Sequence, residues 1–174
     1  MSTLCISTTD SPVDAPASLL PTRAALLARQ NWDANVSALS ETRQAAPTHA
    51  LDFDTLDLTW LLARDGAVSA KDATGRWLAG CSVPRLAARA VFGKLEVSGS
   101  VGCFLCPSHG QQLRWALDKL GAQQALVVIL PDIEQFKTVL ACVNFSKELA
   151  DARLFFVSGS GWSEQLKNLF DDQP

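Results

Sequence analysis

Apolar positions in the second half of the chain alternate between two patterns. Apolar runs over residues 97–105, 125–130 and 154–157 predict strands, and the first of them contains glycine. The run at 125–130 is continuous and β-branched, as in a strand buried on both faces. After each run, apolar residues recur at helical spacing. These helical segments cover residues 111–120, then 133 onward with a break near 144 and a restart at 146, and finally 163–170. The order β-α-β-α-β-α predicts an α/β fold with a Rossmann-like three-layer parallel sheet, strand order 3-2-1 and right-handed crossovers.

The first half of the chain predicts smaller elements. Residues 19–43 have the apolar spacing of an amphipathic helix. A predicted strand over residues 58–64 leads into Asp65-Gly66, a strong hairpin signal, and a second turn over 72–75 precedes a short strand at 76–79. We therefore expect an N-terminal helix followed by a small antiparallel β-meander.

Three serines stand where the remaining helices are predicted to begin. Ser82 precedes Pro84, which a first helical turn tolerates because its missing N–H would be unpaired there anyway. Ser108 and Gln111 form an S-x-x-Q capping box. Ser163 is predicted to cap the last helix.

These elements divide the chain into four parts. Residues 1–18 are rich in Ser, Thr, Pro and Asp and predict a disordered tail. The N-terminal helical segment covers residues 19–50, the β-meander with its helix covers 51–95, and a Rossmann-like half-domain covers 96–174. A complete domain of this type has further strands, so the first parallel strand is predicted to have an unpaired edge. We expect a missing C-terminal domain or a homo-oligomer to cover that edge.

Composition and charge narrow the class of protein. Of the 174 residues, 48% are apolar and 19% are charged, and the net charge of −3 comes from basic and acidic side chains mixed along the chain. No segment is basic enough to predict a nucleic-acid partner. No apolar run is long enough to span a bilayer, and no basic segment precedes Arg23 as in a signal peptide. We expect a soluble, cytoplasmic protein with no membrane partner.

The cysteine positions predict reduced, mostly buried thiols. There are five cysteines at irregular spacing, which does not suit a disulfide framework. Cys103 and Cys106 have CxxC spacing, and His109 follows three residues later. A structural zinc site needs a second pair of ligands, and His49 is the only other histidine. We therefore expect no metal.

Candidate binding residues lie at the predicted carboxyl ends of the parallel strands, where α/β sheets bind ligands. Asp132 ends the second strand 22 residues after Gly110, a spacing that suits an acidic residue holding a ribose. The alternative is that Asp132 only caps the next helix. Ser108, His109 and Gly110 present a hydroxyl, an imidazole and helix N-terminal amides, which suit a phosphate. His109 is alternatively a solvent-exposed residue of the capping loop.

The remaining loops carry weaker signals. Ser158 and Gly159 either line a base or sugar or form a plain strand-to-helix connection. The first loop lacks the glycines of a dinucleotide fingerprint, because Gly99 and Gly102 fall inside the predicted strand and only Gly110 lies in the loop. The site is therefore degenerate, or its ligand places its phosphate elsewhere. No P-loop, G-x-S-x-G or H-E-x-x-H motif is present, so the catalytic residues are unknown.

Short motifs occur in a defined order between residues 58 and 170. They are Ala63-Arg-Asp-Gly66, Gly75-Arg-Trp-Leu78, Ser82-Val-Pro84, Cys103-Phe-Leu-Cys-Pro107, Ser108-His-Gly110, Leu130-Pro-Asp132 and Arg153-Leu-Phe-Phe-Val157. In these motifs the chain resembles a group of bacterial glycosyltransferases related to motility-associated-factor (Maf-like) and MptE-like proteins, over about two-thirds of its length. The helix with Asn35 resembles their N-terminal helical segment. The resemblance implies a small β-rich part followed by a Rossmann-like domain that binds a nucleotide or nucleotide-sugar.

The sequence thus predicts a nucleotide- or nucleotide-sugar-binding region of a glycosyltransferase-like enzyme. One alternative is a non-catalytic scaffold or interaction domain with a degenerate Rossmann fold, in which side chains such as His109 and Phe104 plug the strand-end crevice. A methyltransferase-like domain is a further alternative, which the missing glycine loop disfavours.

Overall fold

A computed structural model describes residues 19–42, 51–94 and 99–171. The predicted N-terminal tail, Cys5 and His49 lie outside the described residues. Helices surround an antiparallel two-stranded sheet and a parallel three-stranded sheet, so the predicted α/β fold is confirmed. No helix in the three described ranges has both the length and the apolarity that a membrane span requires.

The N-terminal helix packs against the hairpin through aromatic rings. Helix α1 spans Leu19–Glu41, and strands β1 (Thr59–Leu62) and β2 (Val68–Lys71) pair antiparallel. The ring of Phe53 contacts Trp32 of α1, with ring centroids 5.7 Å apart, and Trp60 of β1, with ring centroids 5.6 Å apart. Phe53 lies in a single 3-10 turn between the two elements, so this turn joins α1 to the hairpin.

The turns of the hairpin region have the geometry that their sequence predicts, but the third strand does not form. Gly66 and Gly75 have φ of +76° and +80°, a conformation that glycine adopts without a Cβ clash. Within residues 51–94, a single bridge between Lys71 and Trp77 replaces the predicted strand at 76–79. The Asp72 carboxylate accepts two backbone N–H groups of the second turn, and the chain bends away after this one pair.

Helix α2 spans Pro84–Phe92, and its N-terminus is capped by a distant residue. The prediction that Ser82 caps this helix is wrong, because no side chain at the preceding position caps it. The Asp65 carboxylate, from the hairpin turn, accepts the N–H groups of Arg85 (2.7 Å) and Leu86 (3.2 Å). A carboxylate suits this position because it satisfies free N–H donors and complements the helix dipole. The same contact ties the hairpin to α2.

The parallel sheet has the predicted strand order. The parallel strands are β3 (Val101–Leu105), β4 (Ala125–Leu130) and β5 (Leu154–Ser158), and β4 lies between the other two. Numbered among themselves as 1, 2 and 3, they have the predicted order 3-2-1. The register runs without interruption, from Val101 opposite Ala125 to Leu130 opposite Ser158. Because β4 lies between two strands and between packed layers, almost all of its side chains are buried.

Four helices follow these strands. They are α3 (Gly110–Lys119), α4 (Ile133–Cys142), α5 (Ser146–Ala150) and α6 (Trp162–Asp171). The predicted break near 144 and restart at 146 are confirmed. The last helix begins at Trp162, so Ser163 lies inside its first turn and the predicted cap is wrong.

One hydrophobic core connects α1, the hairpin, helices α3 to α5 and the parallel sheet. A buried amide in α1 joins these parts. The Asn35 Nδ2 donates to the carbonyls of Leu140 (2.7 Å) and Val143 (2.8 Å), and its Oδ1 accepts the N–H of Phe145 (2.6 Å). These backbone groups lie where α4 ends and α5 begins, and their helices leave them unpaired. Helix α1 is therefore part of the core of the α/β fold.

Strand β3 lies at the edge of the parallel sheet, and one of its faces is exposed. Val101 and Leu105 are 47% and 66% exposed, and Cys103 between them is exposed as well. On the opposite face of the strand, the ring of Phe104 contacts Phe92 of α2 at 5.2 Å. Among the described residues β3 pairs with β4 alone, which leaves its outer edge without a strand.

Candidate functional site

The three loops predicted to form the site lie together at the carboxyl edge, where β3, β4 and β5 end. Gln135, in the first turn of α4, donates to the carbonyl of Pro107 in the first loop (3.0 Å). The N–H of Gly159, in the third loop, donates to the Leu130 carbonyl at the end of β4 (3.1 Å). The sequence therefore identified residues that share one edge, and their exposure decides what each can contact.

His109 is buried, which corrects the expectation of a solvent-exposed residue; it is 1% exposed. Its Nδ1 accepts the N–H of Gln111 (3.2 Å), so His109 is the N-cap of α3. The predicted Ser108–Gln111 capping box is therefore wrong. Ser108 is exposed, and its hydroxyl accepts a hydrogen bond from the side chain of Gln112 (3.3 Å).

The burial of His109 also fixes its charge. Its pKa is lowered to about 4, because burial disfavours the imidazolium. The Asp65 carboxylate and the Val68 backbone raise the pKa by less than burial lowers it. The Nε2 has no partner of hydrogen-bonding geometry among the described residues. At neutral pH His109 is thus an uncharged, buried cap.

Gly110 lies where a side chain would not fit. A Cβ at this position would come within 2.9 Å of the Val143 side chain and 3.2 Å of the Val139 carbonyl oxygen. Helix α3 therefore begins in close contact with α4, and Gly110 is buried. Gly110, which the sequence predicts to face a phosphate, instead allows α3 to pack closely against the end of α4.

Asp132 caps α4, which was the alternative to ribose binding. Its Oδ1 accepts the N–H of Glu134 (2.9 Å). The side chain is nevertheless exposed at the carboxyl edge, and its other oxygen has no hydrogen-bond partner in the described part of the chain. The capping role therefore leaves one carboxylate oxygen accessible to a ligand.

Ser158 is tied to α6 through a glutamine. The Gln165 Oε1 accepts the N–H of Ser158 (3.0 Å), and the Gln165 Nε2 donates to its carbonyl (2.8 Å). Ser158 is buried, while Gly159 is half-buried with φ +72°. These contacts give the third loop the role of a rigid strand-to-helix connection.

A concave surface that the sequence did not predict lies between α2 and α3. We call it the arginine cleft, and its volume is about 390 Å³. It is lined by Arg85, Arg89, Gln111, Arg114, Trp115, Asp118 and Val143. Three of these seven side chains are arginines and one is the carboxylate Asp118, which lies 3.9 Å from Arg114. The net positive charge of the lining therefore comes from Arg85 and Arg89.

The three arginines differ in their partners. Arg114 binds both oxygens of Glu148 and the carbonyl of Asn144. Burial raises the pKa of Glu148, but the hydrogen bond and charge of Arg114 outweigh it and lower the pKa overall. Arg85 and Arg89 are exposed and form no ion pair with any described residue. The cleft therefore has one fixed guanidinium and two free ones.

The sequence contained part of the signal for this cleft. Arg85 and Arg89 are four residues apart in a predicted helix, which places them on one face. Nothing in the local sequence indicated that α2 packs on α3, because this pairing depends on the distant Asp65 cap and on the contacts of Phe92 with Phe104 and Trp115.

The cysteines do not form a metal site among the described residues. No group of three or more His, Cys, Asp or Glu side chains in those ranges could hold a metal ion. Cys103 and Cys106 are exposed, so the expectation that they are buried is wrong. Cys142 is buried as expected, and burial raises the pKa of its thiol to about 12.

Comparisons of the chain with protein-family models, with curated proteins and with solved structures each found no match.

Proposed function

We propose that this protein binds a phosphate-bearing ligand of the nucleotide or nucleotide-sugar class, with its phosphates on Arg85 and Arg89 in the arginine cleft. One observation carries the proposal: two neighbouring guanidinium groups enter a concave surface without a carboxylate partner among the described residues. Like charges one helical turn apart repel each other, and an anion between them relieves that repulsion.

The chemistry of the lining supports this ligand class. Guanidinium groups bind phosphate through paired N–H donors, and such charge-assisted hydrogen bonds are stronger than neutral ones. Trp115 adds an apolar wall, in the manner of ligand sites that combine aromatic surface with a few charged groups. The Glu148 contact holds Arg114 in place in the lining of the cleft, so this side chain does not have to be ordered when a ligand binds.

The carboxyl edge is a second candidate position for the same ligand class. The free oxygen of Asp132 favours it, since a carboxylate accepts hydrogen bonds from ribose hydroxyls. The burial of His109 and Gly110 weighs against a phosphate at this edge, because both residues were predicted to face the phosphate and neither is exposed. Substitutions distinguish the two positions: loss of Arg85 or Arg89 weakens binding in the arginine cleft, and loss of Asp132 weakens binding at the carboxyl edge.

Calorimetric titration with a panel of nucleoside diphosphates, nucleotide-sugars and inorganic pyrophosphate tests both positions. We expect Arg85→Ala and Arg89→Ala each to weaken binding roughly tenfold or more, because each removes a hydrogen bond between charged groups. Affinity is expected to fall as salt increases, since these side chains are exposed. Arg76→Ala is the matched control, because Arg76 is an exposed arginine that pairs with Asp72 at the second turn, after β2.

The outcomes separate the proposals. Binding that is unchanged in both arginine variants but lost in Asp132→Ala would place the ligand at the carboxyl edge. If no ligand of the panel binds, the scaffold or interaction domain becomes the better hypothesis, and the buried His109 is the observation that favours it. A glycosyltransferase-like activity, the methyltransferase-like alternative, a cytoplasmic location and the absence of a nucleic-acid partner remain predictions from the sequence.

A further inference from the structure

Within the part of the chain that the structure describes, the outer edge of β3 has unpaired backbone groups and no charged side chain. The Ser100 carbonyl accepts the N–H of Ala125, and the Cys106 N–H donates to the Ile129 carbonyl, so these two residues direct their backbone toward β4. Backbone groups alternate in direction along a strand. The N–H and C=O groups of the odd-numbered residues between them, Val101, Cys103 and Leu105, therefore point to the free edge.

Natural edge strands usually carry a device that prevents pairing, such as a charged side chain, a proline or a bulge. None of these occurs within Val101–Leu105, whose sequence is Val-Gly-Cys-Phe-Leu. The same odd-numbered residues that present the free backbone also present exposed side chains, with Val101 47% and Leu105 66% exposed. Another strand could therefore form backbone hydrogen bonds along this edge and pack against its exposed apolar side chains.

The pattern of the exposed residues favours a second copy of the same chain. A twofold interface must be self-complementary, because each residue i that contacts j has a symmetric contact of j with i. The exposed face of β3 has an apolar residue at each end and Cys103 at its centre. An antiparallel copy centred on Cys103 places Val101 opposite Leu105 of the second copy at both ends and leaves no charge unpaired.

We infer that two copies of this chain associate through antiparallel pairing of their β3 strands, with the twofold axis beside Cys103. This register pairs all five residues of β3 and satisfies the free N–H and C=O groups of the three outward-facing residues. The two three-stranded sheets become one continuous six-stranded sheet. The arginine cleft, which lies between α2 and α3, takes no part in this pairing.

Sedimentation velocity over a wide range of protein concentration measures the association. Val101→Lys and Leu105→Lys are each expected to raise the dimer dissociation constant roughly tenfold or more, because twofold symmetry makes each substitution alter two cross-strand pairs. Val91→Lys is the matched control, since Val91 is a 72% exposed valine on α2, outside β3. Circular dichroism of each variant confirms that it has folded.

Thiol cross-linking tests the register. In a chain whose Cys5, Cys81 and Cys106 are replaced by serine, a short bismaleimide is expected to link Cys103 to Cys103 of the second copy. A chain that keeps Cys106 instead of Cys103 also has an exposed thiol, but outside the strand, and it is expected to cross-link far less. A monomer at every concentration, a dimer unaffected by both β3 substitutions, or cross-linking through Cys106 alone would each overturn the inference. A monomer would also favour a different occupant of this edge.

Discussion

Asn35→Ala is expected to produce a large loss of stability from a single side chain. The amide makes three hydrogen bonds of 2.6 to 2.8 Å to the backbone where α4 ends and α5 begins. Asn35 is fully buried, so its removal leaves two carbonyls and one N–H without a partner and away from water. The substitution also shortens a side chain in the contact between α1 and the α4–α5 junction.

The magnitude follows from the number of groups left unpaired. A buried backbone group without a partner costs about 1–3 kcal/mol, and relaxation around an alanine favours the lower end of that range. Three such groups lower the free energy of unfolding by about 3 kcal/mol, which is a substantial share of the roughly 5–15 kcal/mol that stabilises a typical domain. For a chain of this length the melting temperature is expected to fall by roughly 6–12 °C.

Urea unfolding followed by circular dichroism measures the effect. Asn31→Ala is the matched control, because Asn31 lies one turn earlier on α1 and makes one half-buried hydrogen bond, to the Ala141 carbonyl (3.1 Å). The control is expected to cost about 1 kcal/mol. An Asn35→Ala loss no larger than that of Asn31→Ala would refute the reasoning, since it would show that the three bonds contribute little.

Two further predictions concern the start of α3. Gly110→Ala is expected to lower the free energy of unfolding by about 1–3 kcal/mol, because its Cβ would lie 2.9 Å from the Val143 side chain; chemical denaturation measures this. His109 is expected to make stability fall by about 3 kcal/mol as the pH drops from 7 to 4. The pKa of His109 is about 4 in the folded protein and about 6.5 in the unfolded chain. As the pH falls from 7, the unfolded chain is therefore protonated before the folded protein, and this stabilises the unfolded state. Urea titrations at a series of pH values measure this loss.

Matched substitutions separate these effects from general ones. Gly121→Ala is the control for Gly110, because a Cβ there meets nothing closer than 3.5 Å. A Val143→Ala change in the Gly110→Ala background is expected to restore part of the loss, since it removes the clashing methyl groups. His109→Gln is expected to flatten the stability profile between pH 7 and 4. An unchanged slope in that variant would mean that other groups cause the loss.

The order of the elements was predictable because it depends on local patterns. The apolar run at β4, the helical spacing after each strand and the break between α4 and α5 are properties of neighbouring residues, and the structure confirms them. The helix caps were less predictable. Ser82 and Ser163 are plausible caps by sequence, but the N–H groups of α2 pair with Asp65, about twenty residues away.

Local sequence by itself determined the class of fold, the parallel strand order and the edge at which Ser108, Asp132 and Gly159 meet, because parallel strands finish at one side of a sheet. Only the tertiary structure decided which of these residues a ligand can reach. Burial depends on neighbours distant in sequence: buried His109 lies near Asp65 and Val68 of the hairpin, and Val143 fills the space beside Gly110. The arginine cleft and the open edge of β3 arise in the same way, from how α2, α3 and the sheet pack together.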